Sequence, residues 1–512
     1  MISAAAVPLV VTSLFLAGAA TLQDEPAATG AGGEDPIATA NLDTGPIELT
    51  VEQAVTIALG NNLAIEIAEV NTEVARFDQL GSWGAFNWVF DARLTGTDRT
   101  QEGSGFLSGG QETSTETISG VLDFRKPLTT GGSFAFHFDT LDRLTDNAFF
   151  DEPRQREGNI SMSYIQPLRR GAWSEYATAL QRESEILFMR QREVARATRQ
   201  AIAFQVYNAY WDLVSAIEQQ GVADSAIDLG KNRLEQNRRQ YEAGVGTEVE
   251  VLQAQAELAT REETLIQARN NVAQREDELK RLLFAGEDDA VWDVFVKPST
   301  PLPTETDADV PAWTVALATA LEWRSELRQK TYDVDVARLR ATRAASERLA
   351  AVDLELSAGS GAVDTSRSDT ISKAAEFRYP TYSASLVYSL PIGNDTAIYA
   401  ERAARAAIRA ALLDYDSVEL DITAEVREAV RGVRYASEQV RATSTSLALA
   451  RRQLEAEEAR FNNDLSTTFQ VLEFQQDLVD AMANERTARV AYAKALINLE
   501  SVQGLLAESR GR

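Results

Sequence analysis

Tyr241-Glu-Ala-Gly-Val-Gly-Thr-Glu-Val-Glu-Val-Leu-Gln-Ala-Gln255 and Arg460-Phe-Asn-Asn-Asp-Leu-Ser-Thr-Thr-Phe-Gln-Val-Leu472 are one turn written twice. Thr247 falls on Thr467, a shift of 220 positions, and the same shift carries Val251-Leu252 onto Val471-Leu472, Gln255 onto Gln475, Leu258 onto Leu478 and Leu279 onto Leu499. Going back along the chain it carries Tyr241 onto Phe461, Leu234 onto Leu454 and Val206 onto Val426, with no gap. A small, polar turn between two long periodic stretches is a helical hairpin. Val206, Tyr210, Leu213, Ile217, Ile227, Leu234 and Tyr241 recur in steps built from four and three, as do Val426, Val430, Val433, Val440, Leu447, Leu454 and Phe461. Lys231 and Arg451 interrupt the seams, which favours a bundle or curved wall of helices over a two-stranded zipper.

The duplication extends further. Ala58-Leu59 matches Ala320-Leu321, Val74-Ala75-Arg76 matches Val336-Ala337-Arg338, and Tyr164-Ile-Gln-Pro167 has a counterpart in Tyr388-Ser-Leu-Pro391. Both halves read short helix, strand region, long helix, turn, shorter helix. The repeats are placed at 47–285 and 313–506, with a linker or equatorial region at 286–312 and a tail at 507–512. An opening helix is predicted over Leu49 to Leu80, a long arm over Ala172 to Ala243 and a return arm over Glu248 to Phe284. At 1.5 Å per residue the long arm is ~108 Å and the short arms ~48 and ~55 Å, so two short arms end to end match the long one. The Pro-rich connector Lys297 to Pro311 then lies at mid-height.

Elsewhere the period changes to two. Phe134, Phe136 and Phe138 alternate with Ala135, His137 and Asp139; Ala384, Leu386, Tyr388 and Leu390 alternate with Ser385, Val387 and Ser389. One apolar and one small or polar face is what a membrane β-barrel with a wet interior requires. Trp83, Trp88, Phe90, Tyr164, Tyr379, Tyr382 and Tyr388 near the strand ends suit an aromatic girdle. So few strands cannot close a barrel alone and must pair between chains. A further hairpin, Ile118 to Leu128 and Ser133 to Leu141, is predicted around Thr129-Thr-Gly-Gly132, and the sequence leaves open whether it joins the wall.

Composition narrows function. The 512 residues hold 77 acidic and 50 basic side chains, a formal charge of −27, which argues against nucleic acid as a partner. With no cysteine and one histidine, thiolate and multi-histidine metal sites are excluded, as are cysteine nucleophiles and disulfides. His137 itself reads as a solvated residue on a polar strand face beside Asp139. Residues 1–22 read as an export signal, apolar from Ala4 to Ala20 and ending in small residues, though without a basic start. Residues 23–46, rich in Ala, Gly, Pro and acids, read as a disordered lead-in.

The duplicated layout, the opening Leu49-Thr-Val-Glu-Gln-Ala-Val, both Tyr-x-x-Pro strand ends and both turns make the chain from Leu49 to Leu506 resemble the outer-membrane efflux proteins, the TolC-like channel-tunnels. The resemblance implies a mainly α fold in which tandem-duplicated long helical hairpins form an α-barrel tunnel. The strands contribute to a trimeric outer-membrane β-barrel. It implies a passive export duct for small molecules or polypeptides in a tripartite efflux or type I secretion system. The partners implied are further copies of the chain, a periplasmic adaptor, an inner-membrane transporter and outer-membrane lipid. It implies adaptor docking at the tips, through Gly244, Val245, Gly246, Thr247, Arg460, Leu465 and Ser466. It also implies a periplasmic gate near Gln470, Glu473 and Asp477, where a ring of three Glu473 would attract cations. The second turn has Asp464 where the first has Gly244, and Gln470 stands where the family often has a carboxylate. No catalytic, cofactor or metal residue is assigned and an enzyme is not expected. The alternative is a periplasmic adaptor-like coiled-coil protein without a pore. Cargo, pump class and the resting state of the gate are not legible.

Overall fold

The computed structural model describes residues 47–102, 112–146, 152–284, 290–293, 295–303, 310–461, 463 and 465–506. The proposed signal, lead-in and tail lie outside the described residues. The first repeat contains β1 (Ile47–Leu49), α1 (Val51–Asn61), α2 (Leu63–Ser82), β2 (Val89–Glu102), β3 (Glu112–Pro127), β4 (Ser133–Thr145), β5 (Arg154–Pro167), α3 (Trp173–Ala177), α4 (Ala179–Glu242) and α5 (Glu248–Leu283). After α6 (Ala290–Asp293) and β6 (Val296–Pro298), the second contains α7 (Trp313–Trp323), α8 (Ser325–Glu347), β7 (Ala351–Asp364), α9 (Arg367–Ala375), β8 (Pro380–Ser389), α10 (Asp395–Phe461) and α11 (Thr468–Val502).

The two long helices have 64 and 67 residues, or roughly 96 and 100 Å. Their seams are closed where the periodicity predicts: Val206, Tyr210, Leu213, Val426, Val430, Val433 and Val440 are buried. Tyr241 is a correction, because it stands exposed at the end of α4. The opening helix is a second correction. It is two helices, broken at Asn62, whose extended backbone (φ −78°, ψ 123°) ends α1 while its side chain caps α2 by accepting from the Ala64 N–H. Leu49 belongs to β1 instead. The second repeat breaks at Arg324, the position equivalent to Asn62 under the Ala58–Ala320 match, with the same conformation (φ −67°, ψ 120°). The long arm is likewise interrupted once, at Thr178 between α3 and α4.

Mid-height is clasped by the short parallel pair β1–β6. The Tyr210 hydroxyl, fully buried at the midpoint of α4, donates to the Leu49 carbonyl (2.9 Å) and accepts from the Thr300 N–H (3.0 Å). The main core surrounds it, with Leu213, Leu279, Leu283 and Val296 joined by Val490, Ala493 and Leu506 from the second repeat. Beyond this level, on the side away from the strands, α4 lies between α5 and α11; toward the strands it lies between α2 and α8. No helix among the described residues is long and apolar enough to cross a bilayer.

The strands form a six-stranded antiparallel sheet in the order β2-β3-β4-β5-β7-β8. The extra hairpin is therefore part of the sheet, longer than the sequence suggested, and it occupies central positions. Its turn is fixed by Gly131 (φ +85°), where any Cβ would meet the Gly171 carbonyl oxygen at 2.5 Å. His137 faces the polar side, between Asp123 of β3 (2.6 Å) and Asp139 of its own strand (3.2 Å). The cross-strand partner Asp123 becomes visible only once register is known.

Candidate functional site

The candidate site is the pair of turns at the far end of the hairpins and the cleft between them. The first turn is built by the backbone. The Gln240 carbonyl accepts from the N–H groups of both Val245 and Gly246 (3.0 Å each), and Gly244 takes the left-handed conformation (φ +76°). Gly246 is packed against the helix it leaves: a Cβ there would lie 3.1 Å from the Gln240 Cβ and from the Tyr241 nitrogen. Thr247 then opens α5 through a capping box, accepting from the Glu250 N–H while Glu250 accepts from the Thr247 N–H (2.7 Å).

The second turn keeps the plan and changes the means. The Arg460 carbonyl accepts from Asn463 (3.1 Å) and Leu465 (3.0 Å), and Thr467 opens α11 through a capping box with Gln470. Side chains do the rest. Glu457 is buried, and its carboxylate accepts from the Ser466 hydroxyl and pairs with Arg460 (3.3 Å). Arg460 also reaches the Leu465 carbonyl at 3.5 Å. Arg460, Ser466 and Gln470, singled out in the sequence as docking and gate residues, are thus engaged within the turn itself. The comparison of the two turns at position 464 falls outside the described residues.

Beside the exposed Glu242 and Glu248, the turns present large apolar side chains outward. Val245 is 80% exposed and Leu465 69%. Val249, Leu252 and Phe469 are exposed beside them; these three were missed in the sequence, where they read as ordinary positions in the opening turns of a helix.

Behind the tips a cleft of about 1150 Å³ opens between α11 and the α4–α5 hairpin. Glu473, Asp477 and Asp480 line it from α11, facing Ala223 and Ala226 of α4 and Thr260, Arg261 and Thr264 of α5. They point away from the buried Val471 and Gln475, as a step of two residues along a helix requires. Ion pairs tie the two hairpins at the equatorial end of the cleft, Glu218 to Arg486 (3.3 Å) and Asp212 to Lys494 (2.6 Å). At the tip end Arg233 of α4 is buried with its guanidinium 4.5 Å from the centre of the Phe461 ring. Burial pushes that guanidinium below the ordinary arginine range, against the pull of Glu458. Arg233 carried no sequence signal, because it sits one residue before seam Leu234 and its partner is 228 residues away (461 − 233).

This arrangement has known counterparts. The solved outer membrane channel CmeC of Campylobacter jejuni superposes with a TM-score of 0.65 at 16% identity, covering 89% of this chain and 85% of that one. The outer membrane protein VceC of Vibrio cholerae gives 0.65 at 14%, covering 89% and 96%. The alkaline protease secretion protein AprF of Pseudomonas aeruginosa is 26% identical over 387 residues, 72% of this chain and 74% of its own. The sequence profile of the outer membrane efflux proteins matches residues 146–283 and 316–505. Fold and family are those of channel proteins, with the strands in the outer membrane and the helical tunnel in the periplasm. The chain belongs to the outer membrane efflux protein family.

Proposed function

We propose that three copies of this chain form a passive export duct, to which a periplasmic adaptor couples an energised inner-membrane transporter. The exposed apolar side chains crowning both turns carry this reading. Monomeric surfaces seldom expose clustered large apolar groups without a partner, and Val245 and Leu465 both stand open to solvent. The cargo is small molecules or polypeptides; the likeness to a protease secretion protein favours the polypeptide. The adaptor-like alternative lacks a role for six amphipathic strands.

Tests of docking belong at Val245 and Leu465, since substitution of Gly246 or Ser466 disturbs the turn as well. Val245→Asp combined with Leu465→Asp is expected to abolish export while trimer yield in the outer membrane stays normal. Undiminished export by the double variant would remove the tips from docking. At the gate, three copies of Glu473 and Asp477 gather negative charge beside the cleft. The reconstituted pore is expected to select cations and to be blocked by multivalent cations, both effects weakening in Glu473→Ala. Wild-type selectivity in that variant would leave Glu473 a surface carboxylate.

A further inference from the structure

Two rows of paired residues run across all six strands without a break. Phe90, Phe124, Phe136, Met162, Ala358 and Tyr382 stand abreast on one face. The adjoining row on the other face is Asp91, Asp123, His137, Ser161, Gly359 and Thr381. A hairpin folded into a lumen or hung outside a wall would break such rows. Instead β3 and β4 are bonded on both sides and keep the same apolar and polar faces as their neighbours, with Phe90–Phe124 (4.7 Å) and Phe124–Phe136 (6.1 Å) ring contacts along the apolar one.

Width points the same way. On the strand side of the clasp the tunnel wall of one chain is four helices across, in the order α2, α4, α8, α10. At ~9 Å between axes, four helices span roughly 36 Å of arc. Strands ~4.8 Å apart and tilted ~40° each take about 6.3 Å of circumference, so six span ~38 Å and four only ~25 Å. The direction of the edges also fits. β2 runs away from the helices and β8 returns toward them, so β8 of one copy meets β2 of the next antiparallel.

Resting on the trimeric reading above, we propose that three copies close an eighteen-stranded wall, in which β3 and β4 are full staves. The bore through the outer membrane is then as wide as the helical tunnel, about 1.5 times that of a wall with four strands per chain, since diameter grows linearly with strand number. Among the described residues the strand wall imposes no narrow point of its own, and its width admits a polypeptide carrying local structure.

The absence of native cysteine makes the test clean. Single variants Leu122→Cys, Asp123→Cys, Phe136→Cys, His137→Cys, Phe138→Cys and Asp139→Cys are reconstituted as the full chain in lipid vesicles. They are exposed to a charged, water-soluble maleimide and separately to a lipid-soluble one. The mass of the intact detergent complex counts the copies. The expected result is a trimer in which Asp123, His137 and Asp139 variants react with the charged reagent. Leu122, Phe136 and Phe138 variants lose that reaction and take the lipid-soluble reagent. Charged labelling at all six positions of a trimer overturns the eighteen-stranded wall and leaves the trimer standing. Alternating labelling in an assembly of another stoichiometry overturns the trimer and the count with it.

Discussion

The two tips match in sequence at a shift of 220 positions, and they hold a similar turn with different side-chain support. At the first, Gly244 and Gly246 let the backbone close on Gln240 with no side chain in between. At the second, the place of Gly246 is taken by Ser466, the place of Asn237 by Glu457 and the place of Gln240 by Arg460. Hydroxyl, carboxylate and guanidinium there supplement a backbone closure on Arg460, whereas the first tip adds to its close backbone approach a single amide, Asn237 Nδ2 donating to the Glu250 carbonyl (3.0 Å). The difference teaches that a turn geometry can be kept while part of its support shifts from close backbone packing to charged side chains. The two tips then respond to different substitutions.

The largest expected difference is at the glycine. Gly246→Val places a Cβ and two methyls against the Gln240 and Tyr241 backbone, and should loosen the first tip by about 1–3 kcal/mol. Ser466→Thr finds space for its Cβ already made and keeps the hydroxyl that the buried Glu457 carboxylate accepts from, and should cost under about 1 kcal/mol. Hydrogen exchange in the last turn of α4 and the last turn of α10 would show it; equal acceleration in both would mean that the tips share one mechanism. The threonine halves of the capping boxes, by contrast, are equivalent, each Thr hydroxyl accepting from the third helical N–H at 3.4 Å. Thr247→Ala and Thr467→Ala should each cost ~1 kcal/mol in the first turn of α5 and α11, and a marked inequality would sharpen the contrast to include the caps. Smallest of all is the link between the tips. Arg233→Met keeps volume against Phe461 and removes a buried charge, so a change within ~1 kcal/mol of either sign is expected. A large loss of stability on exchange or thermal melting would make Arg233 a charged anchor of the second tip.

How much of this was legible depends on what kind of signal each feature leaves. The hairpins were legible because a long seam repeats its evidence every seven residues, and the second copy repeats all of it. The helix breaks were not: apolar positions continue in phase across Asn62, and what ends α1 is one extended residue and the cap it offers to Ala64. Asn62 also sends its Nδ2 to the Leu282 carbonyl, a partner 220 residues away that no local pattern can report. The strands were legible by alternation, but their order was not, since alternation says which face a residue takes and nothing about its neighbour. At the candidate site the turn residues were found because small residues between periodic helices stand out. Their roles were harder to read. Gln470 stands in the sequence as a gate position without a charge, and what the sequence does not announce is that, at the third helical position, its amide oxygen closes a capping box.

The clasp at Tyr210 has a consequence for how the chain is built. Its hydroxyl joins Leu49, 161 residues upstream, to Thr300, 90 residues downstream. During synthesis neither hairpin nor strands depend on it, yet it cannot form until more than half of the polypeptide has emerged. Local helices come early and contacts across such distances come late, because loop closure must precede them. The mid-height strap is thus fastened after the helices it joins, so loss of the Tyr210 hydroxyl would shorten the lifetime of the folded tunnel while leaving its rate of formation almost unchanged.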